Sequence, residues 1–345
     1  MKRGESFAIL ETGVKMVVFI AERLMDVMKK IKCLTAAVCV MLLLAGCGDS
    51  EIQEKKDLYR QKGINCMREG DYEGAIDAFQ DALDQSLAVV GASEIDTCFY
   101  KAAAQSAAGR PEESAATYQA VIDYDESNIE AYYLLGTLYL KQGNTEQAKK
   151  NYSEAITKAK GDFQVYLAVY RQYMDAGMET EAQQCLQTAL EQGGKSGEDY
   201  AHRGHIYLLL GDYDKAKAEL ALALEKESDL APLYMGQLCE AQGESDLAVM
   251  YFEEYAKNHQ EDSCAMGALG DIALTKGDYA SAIAYYTTGL GLKDPVNEQT
   301  MRRNLIIAYE RSGDFAAAKA AMAEYVQDYP TDEEAARENS FLMTR

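Results

Sequence analysis

Apolar and polar positions follow two regimes along this chain. Residues 33 to 44 form one uncharged, mostly apolar stretch. From about Lys56 onward, apolar residues recur instead in helical blocks separated by glycine-centred breaks, which predicts a succession of amphipathic helices. The breaks are regular. Gly70, Gly109, Gly143, Gly177, Gly211, Gly243, Gly277 and Gly313 are spaced by 39, 34, 34, 34, 32, 34 and 36 residues. Five residues after each stands Ala75, Ser114, Ala148, Ala182, Ala216, Ala248, Ala282 or Ala318, always small. Nine after it stands Phe79, Tyr118, Tyr152, Leu186, Leu220, Phe252, Tyr286 or Met322, always bulky. Seven before it stands Gly63, Ala102, Gly136, Tyr170, Gly204, Gly236, Gly270 or Ile306. Four columns held in register eight times define an internal repeat, and repeats of this length build stacked helical hairpins.

The local chemistry supports hairpins. In Gly211-Asp212-Tyr213 and Gly277-Asp278-Tyr279 a glycine ends one helix and an aspartate opens the next. Small residues let the two helices cross closely, and the bulky ninth residue is expected to fill the space between neighbouring hairpins. With these columns the pattern resembles the tetratricopeptide repeat, over roughly Lys56 to Asp332. The resemblance implies an all-α solenoid of about eight repeats, at 56–89, 95–128, 129–162, 163–196, 197–228, 229–262, 263–296 and 299–332. Eleven before the glycine, Tyr59, Tyr132, Tyr166 and Tyr200 take the place where that family usually has Trp. Much of the tyrosine excess is therefore core.

Departures from the pattern carry information. Tyr170 faces Leu186, and Ile306 faces Met322, a bulkier seventh-before residue against a non-aromatic partner, which reads as volume compensation. The longer first spacing places extra loop at Val90 to Glu94. After Pro330, Thr331 to Glu334 reads as a capping box opening a terminal capping helix within 333–345.

The apolar stretch has its own meaning. Met28, Lys29, Lys30 and Lys32 make a basic head, residues 33 to 44 an apolar middle too short to span a bilayer, and Leu44-Ala45-Gly46-Cys47 a small-residue exit. This resembles the lipobox of bacterial lipoproteins. The resemblance implies a signal peptide at 28–46, cleavage before Cys47, acyl chains such as palmitate on Cys47, and a bacterial cell-envelope location. The anchored chain would lie on the outer face of the cytoplasmic membrane, or on an outer membrane where there is one. Residues 1–27 read as an over-extended gene start, and 47–55 as a lipidated tether.

Charge and cysteines narrow the function. The formal net charge is -22, and removal of residues 1–46 leaves 27 basic against 52 acidic side chains. That balance disfavours nucleic acid as a partner. Three His leave little material for acid–base or zinc chemistry, and His202 and His205, three apart on one helix, lack a third ligand. Gly194-Lys195-Ser196 is not preceded by a phosphate-loop glycine. Cys66, Cys98, Cys185, Cys239 and Cys264 are odd in number and scattered, as apolar fillers are. No metal, cofactor or catalytic set is expected.

What remains is an interaction surface. The resemblance places the first helix of each hairpin on a concave face. Six before each glycine this face carries Ile64, Ala103, Thr137, Arg171, His205, Gln237, Asp271 and Ile307. Ten before, it carries Arg60, Phe99, Tyr133, Leu167, Ala201, Leu233, Gly267 and Arg303. The expected partner groove is Phe99, Tyr133, Thr137, Leu167, Arg171, His205, Leu233 and Gln237, with Phe99, Tyr133, Leu167 and Leu233 as an apolar strip for a peptide or helix. The Lys and Asn clamp with which some family members hold acidic chain ends is absent. The reading is a non-catalytic, lipid-anchored scaffold binding a protein or peptide. The alternatives are a peptide receptor or sensor, and an enzyme.

Overall fold

The computed structural model describes residues 52–86 and 90–343. The expected signal peptide, the early residues 1–27 and Cys47 lie outside the described residues. Among these residues the regular elements are all α-helices, and none is long and apolar enough to cross a membrane. They fall into two compact units.

Unit 1, up to Lys158, holds α1 (residues 52–69), α2 (Tyr72–Asp84), α3 (Ala92–Ala107), α4 (Pro111–Tyr124), α5 (Ile129–Lys141) and α6, which runs Thr145–Ala159. Two expectations are corrected here. Residues 52–55 already belong to helix α1, so the last part of the expected tether is helical. Glu94 is not loop but the third residue of α3, where its carboxylate accepts from the Gly91 amide at 2.8 Å. The longer linker therefore ends at Gly91. Glu94 also pairs with Lys56 of α1 and accepts from the Ser86 hydroxyl at 3.0 Å. Burial alone would raise its pKa, but these three donors bring it down to about 2. One buried carboxylate thus ties α1, the linker and α3 together.

Unit 2, from Ala159, holds α7 (Phe163–Asp175), α8 (Glu179–Leu190), α9 (Gly197–Leu209), α10 (Tyr213–Glu225), α11 (Ala231–Ala241) and α12 (Ser245–Asn258). It continues with α13 (Cys264–Lys276), α14 (Tyr279–Leu290), α15 (Glu298–Ser312), α16 (Phe315–Asp328) and α17 (Glu333–Leu342). From α8 on each helix packs on its predecessor, and α9 also touches α11 and α13 touches α15, so those first helices lie side by side. This is solenoid packing.

The repeat columns now have physical causes. All eight break glycines have φ between +69° and +85°, the left-handed region that glycine enters without penalty. At each one the next residue's amide returns to the carbonyl five residues upstream, as in Asp212 N–H to Tyr207 O at 2.9 Å, a Schellman closure. Asp71, Asp212, Asp278 and Asp314 then cap the following helices through their carboxylates. At the last helix the cap is Asp332, whose carboxylate accepts from Ala335 N–H at 2.9 Å, one residue later than the expected Thr331.

The crossing of the two helices resides in the columns seven before and nine after the glycine. A methyl group added to Gly63 would sit 2.5 Å from the Phe79 ring, one on Gly204 2.5 Å from Leu220, and one on Gly236 2.7 Å from Phe252. Phe79, Tyr152, Leu220, Phe252 and Tyr286 are fully buried. The ninth residue thus fills the hole left by the glycine of its own hairpin, not chiefly the space between hairpins. The same pairing brings Ile306 and Met322 together in one buried cluster.

Candidate functional site

The first helices of unit 2 carry the most chemically distinctive face. His205 of α9 stacks on Tyr234 of α11, with ring centroids 4.1 Å apart and planes 11° from parallel. His202, one helical turn earlier, stacks on Phe163 of α7 at 5.2 Å. Farther along, Asp271 of α13 accepts from the Tyr286 hydroxyl at 2.5 Å and from the Asn304 side-chain amide of α15 at 2.8 Å. A rule emerges. The residue six before the glycine of one repeat meets the residue nine before the glycine of the next, as His205 meets Tyr234 and Asp271 meets Asn304.

Both imidazoles in this face are held neutral. The Nδ1 atoms of His202 and His205 are enclosed without a protein hydrogen-bond partner. Burial, and then the neighbouring His202 and Arg171, push His205 down to about 3. Burial also lowers His202, against the opposing pull of Glu198, Asp162 and Asp199. The pair is therefore aromatic packing, and no group of three or more His, Cys, Asp or Glu side chains suited to a metal occurs among the described residues.

This has a measurable consequence. An unfolded His titrates near 6.5, so between pH 6.5 and 3 the unfolded chain binds a proton that folded His205 refuses, and stability falls as pH falls. Acidification from pH 7.5 to 5 is expected to cost unit 2 about 2 kcal/mol through this group. Urea midpoints across that range should show the slope in the wild type and most of it gone in His205→Gln. An unchanged slope in the variant would mean that His205 is not the buried neutral group.

The expected groove residues divide by burial. Phe99, Leu167 and Leu233 are buried at 9%, 3% and 7% exposure, so they do not form an open apolar strip. Phe99 packs on Tyr118 at 6.2 Å between its ring centroid and that of the neighbour. Leu233 lies in the large apolar cluster that spans α9 to α13. The expectation for the strip is corrected: the position ten before the glycine points into the contact between adjacent first helices, where its apolar surface is removed from water. Tyr133 is half-buried, with its ring 6.0 Å from that of Tyr152, and the Thr137 hydroxyl is within 3.1 Å of the Tyr152 hydroxyl. Arg171 is exposed, and His205 and Gln237 are half-buried. Tyr234, Asp271 and Asn304 belong with these three; Tyr234 and Asn304 share the column nine before the glycine, which the sequence reading did not single out.

The remaining chemistry is structural. Burial raises the Cys185 thiol to about 12, and that thiol donates to the Tyr166 carbonyl at 3.4 Å. The five described cysteines are all free. In unit 1 an open cleft of about 420 Å³ lies among Tyr132, Leu135, Tyr139, Lys150 and Glu154, with the Lys158 ammonium 5.0 Å from the Tyr132 ring centroid.

Comparison with known proteins agrees with this architecture. Tetratricopeptide repeat models match residues 129–162, 200–226, 235–296 and 268–333, and a TPR repeat model matches 107–143. No curated protein matches the chain. Among solved structures, a tetratricopeptide repeat protein from Parabacteroides merdae is similar at 15% identity and TM-score 0.47, over 74% of this chain and 99% of that one. PilW, a type IV pilus biogenesis factor, is similar at 19% identity and TM-score 0.46, over 62% and 98%. A chain of the APC/C Cut9-Hcn1 hetero-tetramer is similar at 14% identity and TM-score 0.47, over 84% and 56%. With left-handed glycines at every repeat, a crossing pair of columns and family models matching along both units, the chain is a tetratricopeptide repeat protein.

Proposed function

We propose that this protein is a non-catalytic interaction scaffold of a bacterial cell envelope, lipid-anchored through Cys47, that holds a segment of a protein partner on the concave face of unit 2. The reading rests chiefly on one observation: Arg171, His205, Gln237 and Asp271 occupy the same register position on four successive repeats and none of them is fully buried. His205 and Asp271 also serve packing, against Tyr234 and Tyr286, but Arg171 stands exposed at the same register. The sequence pattern from Met28 to Cys47 supports the anchor, since two or more acyl chains bind a membrane stably without a spanning helix.

Two measurements test this. The mass of the mature N-terminus should show a diacylglyceryl group on Cys47, and Cys47→Ser should shift the protein from the membrane fraction to the soluble fraction. A wild-type chain without lipid would sink the anchor. A photoreactive residue at Gln237 should crosslink a discrete partner in intact cells, while one at exposed Thr287 on α14 should not. Equal yields from both positions would sink the concave assignment.

A further inference from the structure

The concave row of unit 2 is electrically ordered. At its α7 end, Arg171 is exposed and has no carboxylate partner among the described residues. The other two arginines in the concave columns are neutralised, Arg60 by Asp96 and Arg303 by Glu338 at 2.7 Å. In a chain with 56 acidic side chains, an arginine left unpaired on the concave face is unusual. At the α13 end, Asp271 receives its hydrogen bonds from two neutral donors, Tyr286 and Asn304, so its charge is held in place and not cancelled. Glu240 of α11 lies close enough for Asp271 to add to the effect of burial in raising its pKa, so the negative end is broader than one carboxylate. Between the ends stand His205, stacked and neutral, and Gln237, an amide. The row therefore runs positive, neutral, neutral, negative.

We infer that the concave face of unit 2 binds an extended peptide segment with opposite charges at its two ends, a side-chain carboxylate seated at Arg171 and a lysine or arginine at Asp271, passing over His205 and Gln237. This rests on the scaffold reading above and adds the chemistry and the direction of the partner. A guanidinium suits a carboxylate through paired N–H donors, and a fixed carboxylate suits an ammonium or guanidinium. A uniformly basic partner, which the overall charge alone would suggest, meets like charge at Arg171; a uniformly acidic one meets it at Asp271. Direction is thus built in by exclusion as well as by attraction.

The test uses the full mature chain and a displayed library of random twelve-residue peptides, in which only side-chain carboxylates are available. Enriched peptides should carry an acidic residue toward one end and a basic residue toward the other. Synthetic copies should bind about tenfold more weakly to Arg171→Gln, and by a similar factor to Asp271→Asn, which keeps an oxygen for the Tyr286 hydroxyl. Both variants should melt as the wild type does, which separates lost recognition from lost fold. Copies with free and amidated C-termini should bind alike; preference for the free form would overturn the side-chain assignment in favour of a chain end. Peptides that bind at Gln237 but lack charge order, or ignore both substitutions, would overturn this inference and leave the scaffold reading standing. No enrichment at all would overturn both.

Discussion

Replacing Gly270 with leucine is expected to destabilise unit 2 by about 4 kcal/mol, more than the same change at any other crossing glycine of unit 2. Gly270 lies against the face of Tyr286, and even a methyl group there would fall inside 3 Å of three ring carbons. Tyr286 has no room to move, because its ring is fully buried and its hydroxyl is held by Asp271. Overpacking would push the ring out and break that hydrogen bond with it. Gly204 makes the control. Its neighbour is Leu220, an aliphatic chain with rotamers to spare, so Gly204→Leu is expected to cost about 1 to 3 kcal/mol. The gain in helix propensity, below about 1 kcal/mol, offsets neither loss. Because repeat proteins unfold in nearest-neighbour steps, hydrogen exchange is the better reading than a single melting midpoint. Protection should fall in α13, α14 and α15 of the Gly270 variant and persist in α9 and α10. If Gly204→Leu proves the more damaging, the pinned tyrosine is not what makes the crossing rigid.

The same crossing shows why most of the fold was legible in the sequence. A glycine at φ +76°, a methyl-free contact with an aromatic ring and an aspartate accepting from the first-turn amides each admit very few residue types. The first of these recurs at all eight repeats, and each of the others at four of them. The site was less legible, because the column six before the glycine varies from Ile64 to Arg171 to Asp271 and repeat packing does not hold it to one residue type. Arg171, His205 and Gln237 were identifiable by register, but Tyr234 became part of the face only once His205 was seen lying flat on it. Phe99, Leu167 and Leu233 misled for a related reason. Their column has the right phase for the concave side, yet side-by-side first helices close over it, and sequence periodicity does not report how tightly neighbouring repeats approach.

Truncation of Phe99 and Tyr133 together to alanine is expected to cost unit 1 about 5 kcal/mol, with Phe99 responsible for most of it. Phe99 is nearly enclosed beside Tyr118, in a cluster that includes Leu135 and Leu138, so its loss leaves a cavity that those side chains fill only in part. Tyr133 contributes less, since one side of its ring stays in water while the other meets Tyr152. The two positions lie on different first helices, α3 and α5, and pack against different aromatic partners, so their effects should add to within a few tenths of a kcal/mol. A concave residue acting only on a partner would behave in the opposite way: Gln237→Ala is expected to shift stability by less than about 0.5 kcal/mol. Chemical denaturation of the double variant beside Gln237→Ala reads the contrast directly. A double variant as stable as the wild type would show that Phe99 and Tyr133 are free surface, and would return them to the groove as contacts for the partner.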